Sequence, residues 1–307
     1  MNFFEKAFVS LTGHNHLKWL PDRLCVAILY RIHTHRRLRL DPPETFNEKL
    51  QWLKLHNHDP RYTRLSDKYE GKLLAASILG EAHVIPTLGV WDSFDEIPFG
   101  DLPDQFVLKC THDCGSLGVC KDKSKLDRAA AKRRLTQCLK RNYYWAGREW
   151  PYKDIPPRII AEPYLTDEHV RGNPALDPAA DGLLDYKFYC FGGEPKFLYV
   201  AFANMKNGVK RDQLSFFDLN WQPAPFCRLD HEPLPFPLEK PENLNDMIDM
   251  ARRLAQGFSF VRVDLYNLNA QVYFSEMTFL PGSGLGLFHP DDWERRLGDW
   301  INLPDQR

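Results

Sequence analysis

Two acidic residues near the carboxyl end of the chain, Asp264 and Glu276, have a spacing that could hold a divalent cation. Each lies in a run rich in Val, Tyr and Phe, and the two runs flank residues 267–270, a pattern that predicts a β-hairpin. A three-residue loop would place both acids on one face, whereas a two- or four-residue loop would separate them. Carboxylates that converge repel each other unless a cation lies between them, and all-oxygen ligation favours Mg²⁺ bridged to substrate phosphates. Taken alone, the stretch is more typical of an ordinary amphipathic hairpin with one solvated face.

Alternation along the two predicted strands brings in further polar side chains. In the first strand Arg262 shares a face with Asp264. The second strand is expected to point four side chains the same way: Val272, Phe274, Glu276 and Thr278.

A second informative stretch joins a lysine to a loop that contains glycine. A short strand predicted over 106–110 carries Lys109 in an apolar setting, and the loop that follows contains Gly115, Ser116 and Gly118. A lysine beside exposed loop amides is the chemistry that holds a polyphosphate. Neither the GxxxxGK[ST] pattern nor the GxGxxG pattern occurs, and an isolated loop of this kind is more typical of a plain hairpin.

Three more segments carry basic residues. Residues 66–70 predict an N-capped helix that ends near residue 80 and carries Lys68 in its first turn. A second hairpin is predicted around two consecutive glycines, with Asp185 and Lys187 on one of its faces. The basic loop after it contains Lys210 and Arg211.

The amino-terminal part, residues 1–40, predicts helices. Its segment 24–39 is apolar and then strongly basic. A basic amphipathic helix can lie on an anionic membrane surface, and such a helix would give peripheral membrane contact. The alternative is a solvated helix end, whose cations lie near the carboxyl terminus of the helix.

Length and composition restrict the class of protein. A chain of 307 residues can bury a full core and predicts two domains, or one domain with a lid. The formal net charge of −1 gives no global electrostatic argument for nucleic acid. Seven cysteines without paired spacing and no visible signal peptide predict reduced thiols in a cytoplasmic protein. No apolar run approaches the ~20 residues that span a bilayer.

In combination these segments resemble an ATP-grasp enzyme. Residues 106–119 resemble the lid strand, the phosphate lysine and the glycine-rich loop of that family, and residues 66–68 are similar to the helix start that supplies its other nucleotide lysine. Residues 159–165 resemble the hinge that contacts adenine and ribose. Residues 262–282 resemble the magnesium-binding hairpin. The order and spacing of these motifs carry the resemblance, since no single motif is specific.

A narrower resemblance is to the TupA-like branch, named for teichuronopeptide biosynthesis. The segments that carry it are 45–52, 90–96, 148–152, 185–188 and 260–266. The likeness runs from about Asp41 to Pro304. It implies an α+β fold of the ATP-grasp type, with two α+β subdomains that grip ATP and a helix-rich region before them. The expected parts are a helical region at 1–85, a lid subdomain at 86–165, and a core subdomain with the metal-binding hairpin at 166–307.

The resemblance also implies carboxylate–amine ligation with ATP and Mg²⁺, through an acyl phosphate. The residues that it assigns to the metal are Asp264, Glu276 and Thr278. Family members usually have Asn or Asp at the position of Thr278, and a neutral hydroxyl is a weaker ligand than a carboxylate. The residues that it assigns to the nucleotide are Lys68, Lys109, Gly115, Ser116, Gly118, Glu162, Tyr164, Leu165, Lys187 and Lys210. Those placed near the reacting groups are Arg262, Lys187 and Arg211, and a surface ion pair is an equal alternative for Arg262, Lys187, Lys210 and Arg211.

By analogy with the branch, the acid would be a sugar uronate of a cell-surface polysaccharide and the amine an amino acid or another amine. Two alternatives stay open at this point. One is a glycosyltransferase of polysaccharide biosynthesis, in which the two acids bind the metal of a nucleotide sugar. The other is a nucleotide-binding module without turnover.

Overall fold

The structure is a computed structural model that describes residues 1–168, 170, 173, 176, 182–206 and 209–304, without the side chains of 204–206 and 209–211. The helices are α1 Phe3–Gly13, α2 Asp22–Thr34, α3 Phe46–His56, α4 Pro60–Ser66, α5 Lys68–Leu79, α6 Arg128–Leu139, α7 Tyr144–Gly147, α8 Leu244–Ala255 and α9 Asp292–Asp299. The strands are β1 Gly89–Trp91, β2 Phe106–Cys110, β3 Gly118–Cys120, β4 Ile159–Pro163, β5 Asp185–Phe191, β6 Glu194–Lys206, β7 Val209–Asp218, β8 Cys227–Arg228, β9 Phe260–Leu268, β10 Gln271–Thr278 and β11 Phe288–His289. The expected mixture of helices and strands, with helices at the amino terminus, is confirmed.

Two compact units divide the chain. The first contains Met1–Leu38, Lys54–Leu74 and Ile85–Tyr164, and the second contains Arg39–Leu53, Ala75–Val84 and Leu165–Arg307. Both units are discontinuous in sequence, unlike the three consecutive parts expected from the sequence. The functional division into helical region, lid and core stays a prediction.

The first unit contains a four-stranded sheet in the order β1–β4–β2–β3. One face is apolar: Phe106, Leu108 and Ala161 are buried in a cluster with Leu135 of α6 and Phe99. Because side chains alternate along a strand, the opposite face receives the residues between these positions. Lys109 and Glu162 therefore lie on the face away from this core.

The second unit contains a five-stranded sheet in the order β10–β9–β5–β6–β7, and every neighbouring pair in it is antiparallel. Helix α8 packs against β9, β5 and β6. Aromatic rings fill another part of this core, where Phe46 of α3 lies with its ring centroid 5.1 Å from that of Phe260 and 5.6 Å from that of Phe288. The central strands of the sheet are thus packed against buried apolar groups.

The turns of the two predicted hairpins both contain two residues. Gly192 and Gly193 connect β5 to β6 with φ angles of 55° and 88°, as the paired glycines predicted. Asn269 and Ala270 connect β9 to β10 with φ angles of 51° and 62°. The second turn excludes the three-residue loop that was expected to bring Asp264 and Glu276 together.

A β-bulge in β10 changes that outcome. Phe274 pairs with Leu265, but the next pair is Glu276 with Asp264, so that Ser275 is an extra residue in the ladder. The shift places Glu276 on the face of Asp264 although the turn has two residues. The expectation that Phe274 and Glu276 share a face is therefore wrong, because the bulge reverses the alternation between them.

The described residues contain neither a membrane-spanning helix nor a preformed metal cluster. Within the ranges given above, no helix has the length and apolarity that crossing a membrane requires. Over the same ranges, no three His, Cys, Asp or Glu side chains converge so that they could hold an ion by themselves. Of the seven cysteines, Cys110 and Cys120 are buried and Cys114 is exposed.

Candidate functional site

A buried carboxylate between two lysines is the centre of the polar cluster in the first unit. Glu162 of β4 accepts a hydrogen bond of 2.8 Å from the Nζ of Lys72 and one of 2.5 Å from the Nζ of Lys109. Val107 pairs with Glu162 across the sheet and Lys109 follows two residues later, so Lys109 shares the face of Glu162. Burial alone would raise the pKa of Glu162, but the charges of Lys109 and Lys72 lower it to about 2. The group is therefore a fixed negative charge at neutral pH.

The start of α5 brings Lys68 and Lys72 to this part of the unit. Asp67 caps the helix, because its Oδ1 accepts from the backbone amides of Tyr69 at 2.8 Å and Glu70 at 3.3 Å. Its Oδ2 accepts from Arg158 at 2.8 Å, so the capping residue is itself held in place. A four-residue spacing puts Lys72 one turn after Lys68 on the same side of the helix.

The loop between β2 and β3 is braced by Ser116 and Lys68. The Ser116 hydroxyl accepts from the backbone amide of Cys110 at 2.8 Å and donates to Asp113 Oδ1 at 2.5 Å. Lys68 donates its Nζ hydrogen to the backbone carbonyl of Asp113, and its backbone amide donates to the carbonyl of Thr111 at 3.0 Å. Lys68 thus stabilises the loop from which the backbone groups of Gly115 and Gly118 project. The φ angle of Gly115, 93°, is one that a side chain would strain.

Four residues that were expected to bind a nucleotide lie in this unit in two pairs. Lys109 and Glu162 contact each other directly. Lys68 and Ser116 both form a hydrogen bond with Asp113. Tyr164, just after β4, is half-buried. Leu165 is half-buried as well and is counted in the second unit. Their contact with a nucleoside stays a prediction.

In the second unit a row of polar side chains crosses four strands. The register pairs Tyr199 with Lys187, Lys187 with Asp264, and Asp264 with Glu276. Residues that pair directly in antiparallel strands project on the same face, so the row forms a continuous polar line in the sheet. Asp264 is fully buried within it, whereas 38% of the Glu276 side chain is exposed.

Arg262 connects this row through its planar guanidinium group. The Nε and Nη2 atoms donate to the two carboxylate oxygens of Asp264 at 2.7 and 2.6 Å, which is a bidentate pair. Nη2 also lies 2.9 Å from the hydroxyl of Thr278 and 3.3 Å from Glu276, and Nη1 donates to the hydroxyl of Tyr199 at 3.2 Å. One side chain therefore holds the residues of β6, β9 and β10 in a fixed arrangement.

Lys187 is held between two carboxylates. Its Nζ donates to Asp185 Oδ2 at 2.5 Å and also to Asp264 Oδ2. Burial opposes the charge of Lys187, but Asp185 and Asp264 raise its pKa well above the usual value. Burial raises the pKa of Asp264 to about 6 against the opposing charges of Arg262 and Lys187. The ion pair between Lys187 and Asp264 thus stabilises the charged form of each partner against the effect of burial.

The donor set of this cluster fits Mg²⁺. Asp264 and Glu276 provide carboxylate oxygens on one face of the sheet, and Glu276 is open to solvent. The three acids Asp185, Asp264 and Glu276 exceed the two cations Lys187 and Arg262 by one negative charge. Mg²⁺ is ordinarily held by one or two carboxylates, with water and phosphate as its other ligands, so the absence of a third converging acid among the described side chains does not conflict with it.

Thr278 lies beside the two acids, but its hydroxyl oxygen accepts from Arg262 and lies 3.4 Å from Glu276. Its role as a metal ligand stays a prediction. The prediction of a loop at Lys210 and Arg211 is wrong, because the backbone of both residues belongs to β7 and pairs with β6. Their predicted roles concern side chains outside the described part of the structure and stay predictions.

Three polar residues of these clusters were not among the predicted site residues. Lys72 follows Lys68 by one helical turn, and this spacing is a signal that could have found it. Asp185 was expected to share a face with Lys187, and its ion pair follows from that alternation. Tyr199 has no comparable local signal, because only the pairing of β5 with β6 brings it beside Lys187.

Comparison with known proteins assigns most of the chain to a protein family. Residues 48–302 match the family described as TupA-like ATP-grasp. No curated protein matches the chain.

The chain is also similar to solved structures of three enzymes, each at low identity. The ATP-grasp ligase PsnB in complex with a minimal precursor is 11% identical, with a TM-score of 0.40, and the match covers 76% of this chain and 58% of PsnB. Biotin carboxylase from Campylobacter jejuni is 13% identical, with a TM-score of 0.42, and 79% and 48% of the two chains are covered. D-alanine–D-alanine ligase from Bacillus anthracis is 13% identical, with a TM-score of 0.41 and coverage of 84% and 69%.

The chain thus spans a little over half the length of PsnB and about half that of the biotin carboxylase. The family match, in contrast, extends over most of this chain, from the helix that begins at Phe46 to the carboxyl-terminal helix. The chain therefore belongs to the TupA-like ATP-grasp family, a branch of the ATP-grasp ligases.

Proposed function

We propose that the protein is an ATP- and Mg²⁺-dependent carboxylate–amine ligase that forms an amide through an acyl phosphate. The observation that carries the proposal is the row of Lys187, Asp264 and Glu276 across three strands, held by Arg262 in a chain of the ATP-grasp family. Two acids beside two cations on one sheet face suit a ligand that contains both a divalent ion and phosphate.

The reaction has two steps. A carboxylate oxygen of the acid substrate forms a bond to the γ-phosphorus of ATP while the bond from that phosphorus to the β,γ-bridging oxygen breaks, which releases ADP. The amine nitrogen then bonds to the carbonyl carbon of the acyl phosphate, the bond from that carbon to the phosphate oxygen breaks, and inorganic phosphate leaves. The amine gives up its proton to phosphate or solvent. The protein contributes position and charge compensation to both steps.

The residues of the second unit are suited to the phosphoryl group. Mg²⁺, when bound by Asp264 and Glu276, would neutralise phosphate charge. Arg262 and Lys187 are cations fixed by ion pairs, so they provide oriented positive charge without reorganisation during the reaction. We assign Arg211 and Lys210 to the phosphate or the acid substrate, and Thr278 to the third ligand position of the metal.

The residues of the first unit are suited to the nucleotide. We assign Lys68 and Lys109 to phosphate or adenine, and Gly115, Ser116 and Gly118 to a loop that covers the phosphates. Glu162, Tyr164 and Leu165 would seat the nucleoside. Lys72 is a positioning residue in this proposal, because its 2.8 Å bond holds one oxygen of Glu162.

For the substrates we propose a uronic acid and an amino acid or amine, joined in cell-surface polysaccharide biosynthesis. This assignment rests on the family branch, since no contact in either cluster selects a particular acid. We infer a cytoplasmic location, because ATP is supplied there and seven cysteines without paired spacing suit a reducing compartment.

The decisive experiment uses a carboxylate labelled with ¹⁸O. Purified protein is incubated with ATP, Mg²⁺ and a panel of labelled uronates with amines, and the products are measured by mass spectrometry. The acyl-phosphate route predicts one ¹⁸O atom in the released phosphate for each amide formed. Glu276→Gln is expected to abolish both products, whereas Glu242→Gln, at an exposed position of the same unit, is expected to leave them unchanged.

Other products would contradict the ligase. Glycoside formation without ADP would assign the protein to sugar transfer. Phosphate without label, released with no amide across a wide panel, would exclude the acyl phosphate. ATP binding without turnover in the wild type would leave a nucleotide-binding module.

A further inference from the structure

We propose that the amino-terminal segment, residues 1–39, docks on the surface of an anionic lipid bilayer. This inference does not depend on the ligase reaction, since none of its residues belongs to the two clusters described above. It rests on the exposure of large apolar side chains in α1 and in the turn after it, and on the charge of the segment.

Helix α1 exposes an apolar stripe to solvent. Phe3 and Phe4 are 79% and 80% exposed, and Leu11 is 42% exposed. Phe4 and Leu11 are separated by two helical turns and therefore lie on one side of the helix. Thr12, in contrast, is 2% exposed, and α1 packs against α7. The helix is thus attached to the protein by one side and presents phenyl rings on another.

The apolar exposure continues beyond α1. Trp19, in the connection to α2, is 75% exposed, and Leu24 in the first turns of α2 is 50% exposed. Tryptophan is enriched where proteins meet the headgroup region of a bilayer, because its ring combines an apolar body with a polar NH group. With Met1, which is 52% exposed, six large apolar side chains exposed within the first 24 residues would leave water on contact with a membrane.

The charge of the segment is complementary to an anionic surface. Residues 1–39 contain seven Lys and Arg but only two acids, a net charge of +5, whereas the whole chain carries −1. Both acids have partners inside the protein. Glu5 accepts from the amide of Asn2 at 2.7 Å in the helix cap, and Asp22 accepts from the hydroxyl of Tyr144 and lies 3.3 Å from Arg148. The segment is therefore predominantly positive, and anionic lipid headgroups attract it.

The side-chain types favour a bilayer over a nucleic acid. Lys6, Lys18 and Arg23 are exposed near the apolar side chains, which is the combination found in helices that lie in the interface plane. Phosphate backbone binding requires the cations but not an exposed helix stripe of Phe and Leu. Because no described helix is long and apolar enough to cross a membrane, the contact would be peripheral.

The test is sedimentation of the full chain with vesicles of phosphatidylcholine, with and without phosphatidylglycerol. Wild-type protein is expected to sediment with the anionic vesicles and to stay in solution with the neutral ones. The triple variant Phe3→Ser/Phe4→Ser/Trp19→Ser is expected to partition at least about tenfold more weakly. The matched control is Leu229→Ser, since Leu229 is also 75% exposed but lies outside the segment, and its partition should equal that of the wild type.

A second variant separates charge from apolar contact. Lys6→Glu/Arg23→Glu is expected to weaken partition about tenfold at low salt, with a smaller difference at high salt because exposed charges are screened. Circular dichroism and ATP-dependent turnover check that each variant is folded and that the reaction is retained. If the wild type shows no turnover, that result contradicts the proposed ligase function but not the membrane proposal, which vesicle binding tests independently.

Four results would overturn the proposal. Wild-type protein that stays in solution with anionic vesicles excludes the docking surface. Equal partition of the triple-serine variant and the wild type excludes the apolar contact. Concentration-dependent self-association that the triple-serine variant loses, without vesicle binding, would assign the exposed stripe to a second copy of the chain, and oligonucleotide binding that this variant retains would assign the charge to nucleic acid.

Discussion

At the scale of single residues, the buried carboxylate of Glu162 depends on its ion pairs. Its carboxylate is 7% exposed, and each of its oxygens accepts a hydrogen bond from a different lysine. A buried charge is stable only when it is paired, so the two lysines and the glutamate depend on one another. This dependence predicts how the stability of the protein changes with pH.

Glu162→Gln is expected to reduce stability at neutral pH, with a difference from the wild type that shrinks in acid. The pKa of Glu162 is about 2 in the folded protein, against a usual value of 4.5. Because the folded pKa is depressed, the contribution of the ionised form is complete above about pH 4.5 and is lost as the pH falls towards 2. This difference between the folded and the usual pKa corresponds to a contribution of about 3 kcal/mol to the free energy of unfolding at neutral pH. Urea unfolding of both proteins between pH 7 and pH 3 measures it.

Glu242→Gln provides the control for this series, because Glu242 is an exposed carboxylate. Its free energy of unfolding should follow that of the wild type at every pH. A difference between Glu162→Gln and wild type that stays constant down to pH 3 would contradict the depressed pKa.

At the scale of elements, the hairpin of β9 and β10 decides whether two carboxylates meet. A regular ladder after the two-residue turn would place Ser275 opposite Asp264 and would turn Glu276 to the other face. The bulge at Ser275 inserts one residue and puts Glu276 opposite Asp264. Asn243 supports the turn, since its amide donates to the carbonyl of Ala270 at 2.8 Å and pairs with the side chain of Asn267.

Ala270→Gly is expected to stabilise the protein by about 0.5–1 kcal/mol. Ala270 has a φ angle of 62°, a left-handed conformation that costs an L-residue with a side chain about 1 kcal/mol and costs glycine nothing. The greater freedom of glycine in the unfolded chain offsets part of the gain. Urea unfolding at neutral pH measures the change.

The matched control is the same substitution in a helix. Ala76 lies in the interior of α5, where glycine is expected to cost about 1 kcal/mol. The two substitutions should therefore have opposite signs. A loss of stability in Ala270→Gly would show that the turn gains nothing from a residue without a side chain.

At the scale of the whole molecule, each of the two compact units contains one polar cluster. The cluster of the first unit is built on a four-stranded sheet and one helix, and that of the second on four of the five strands of the larger sheet, β6, β5, β9 and the edge strand β10. If both clusters bind parts of the same ligand class, nucleotide with Mg²⁺, ligand binding should stabilise the folded chain by mass action.

ATP with Mg²⁺ is expected to raise the melting temperature more than ATP alone. A ligand at about 100 times its dissociation constant stabilises a folded protein by about 2.7 kcal/mol. Glu276→Gln should lose the part of the shift that depends on Mg²⁺. Lys109→Met should also reduce the shift that ATP gives without Mg²⁺, because Lys109 is assigned to the nucleotide itself. Differential scanning fluorimetry with ATP, Mg²⁺ and both together measures these differences.

The control is Glu242→Gln, whose shifts should equal those of the wild type. If Glu276→Gln keeps the full Mg²⁺-dependent shift, the metal is not held by the acids of β9 and β10. The assignment of Lys109 to the nucleotide would then be tested only by the change in melting temperature that ATP gives without Mg²⁺.

Local structure followed from local sequence in much of the chain. The strand over 106–110, the helix that carries Lys68, and the two-glycine hairpin were all predicted from hydrophobic alternation, capping residues and turn residues. These signals act over a few residues, so one sequence is sufficient to read them. The α+β class and the helices at the amino terminus followed from the same patterns and from the resemblance to the ATP-grasp family.

The contacts that form the clusters needed the tertiary structure. Lys72 pairs with Glu162 across 90 residues of sequence, and Tyr199 reaches Arg262 across 63. The bulge at Ser275 places Glu276 on the face opposite to the one expected. With the bulge, Phe274 and Met277 are buried on one face of the sheet, and Glu276 lies beside Asp264 on the other. Sequence alone thus determined several of the elements and the charged residues that they carry, but it predicted a loop where Lys210 and Arg211 belong to β7. Only the packed sheets decided which charges meet, since a one-residue change of register moves a side chain from one face to the other.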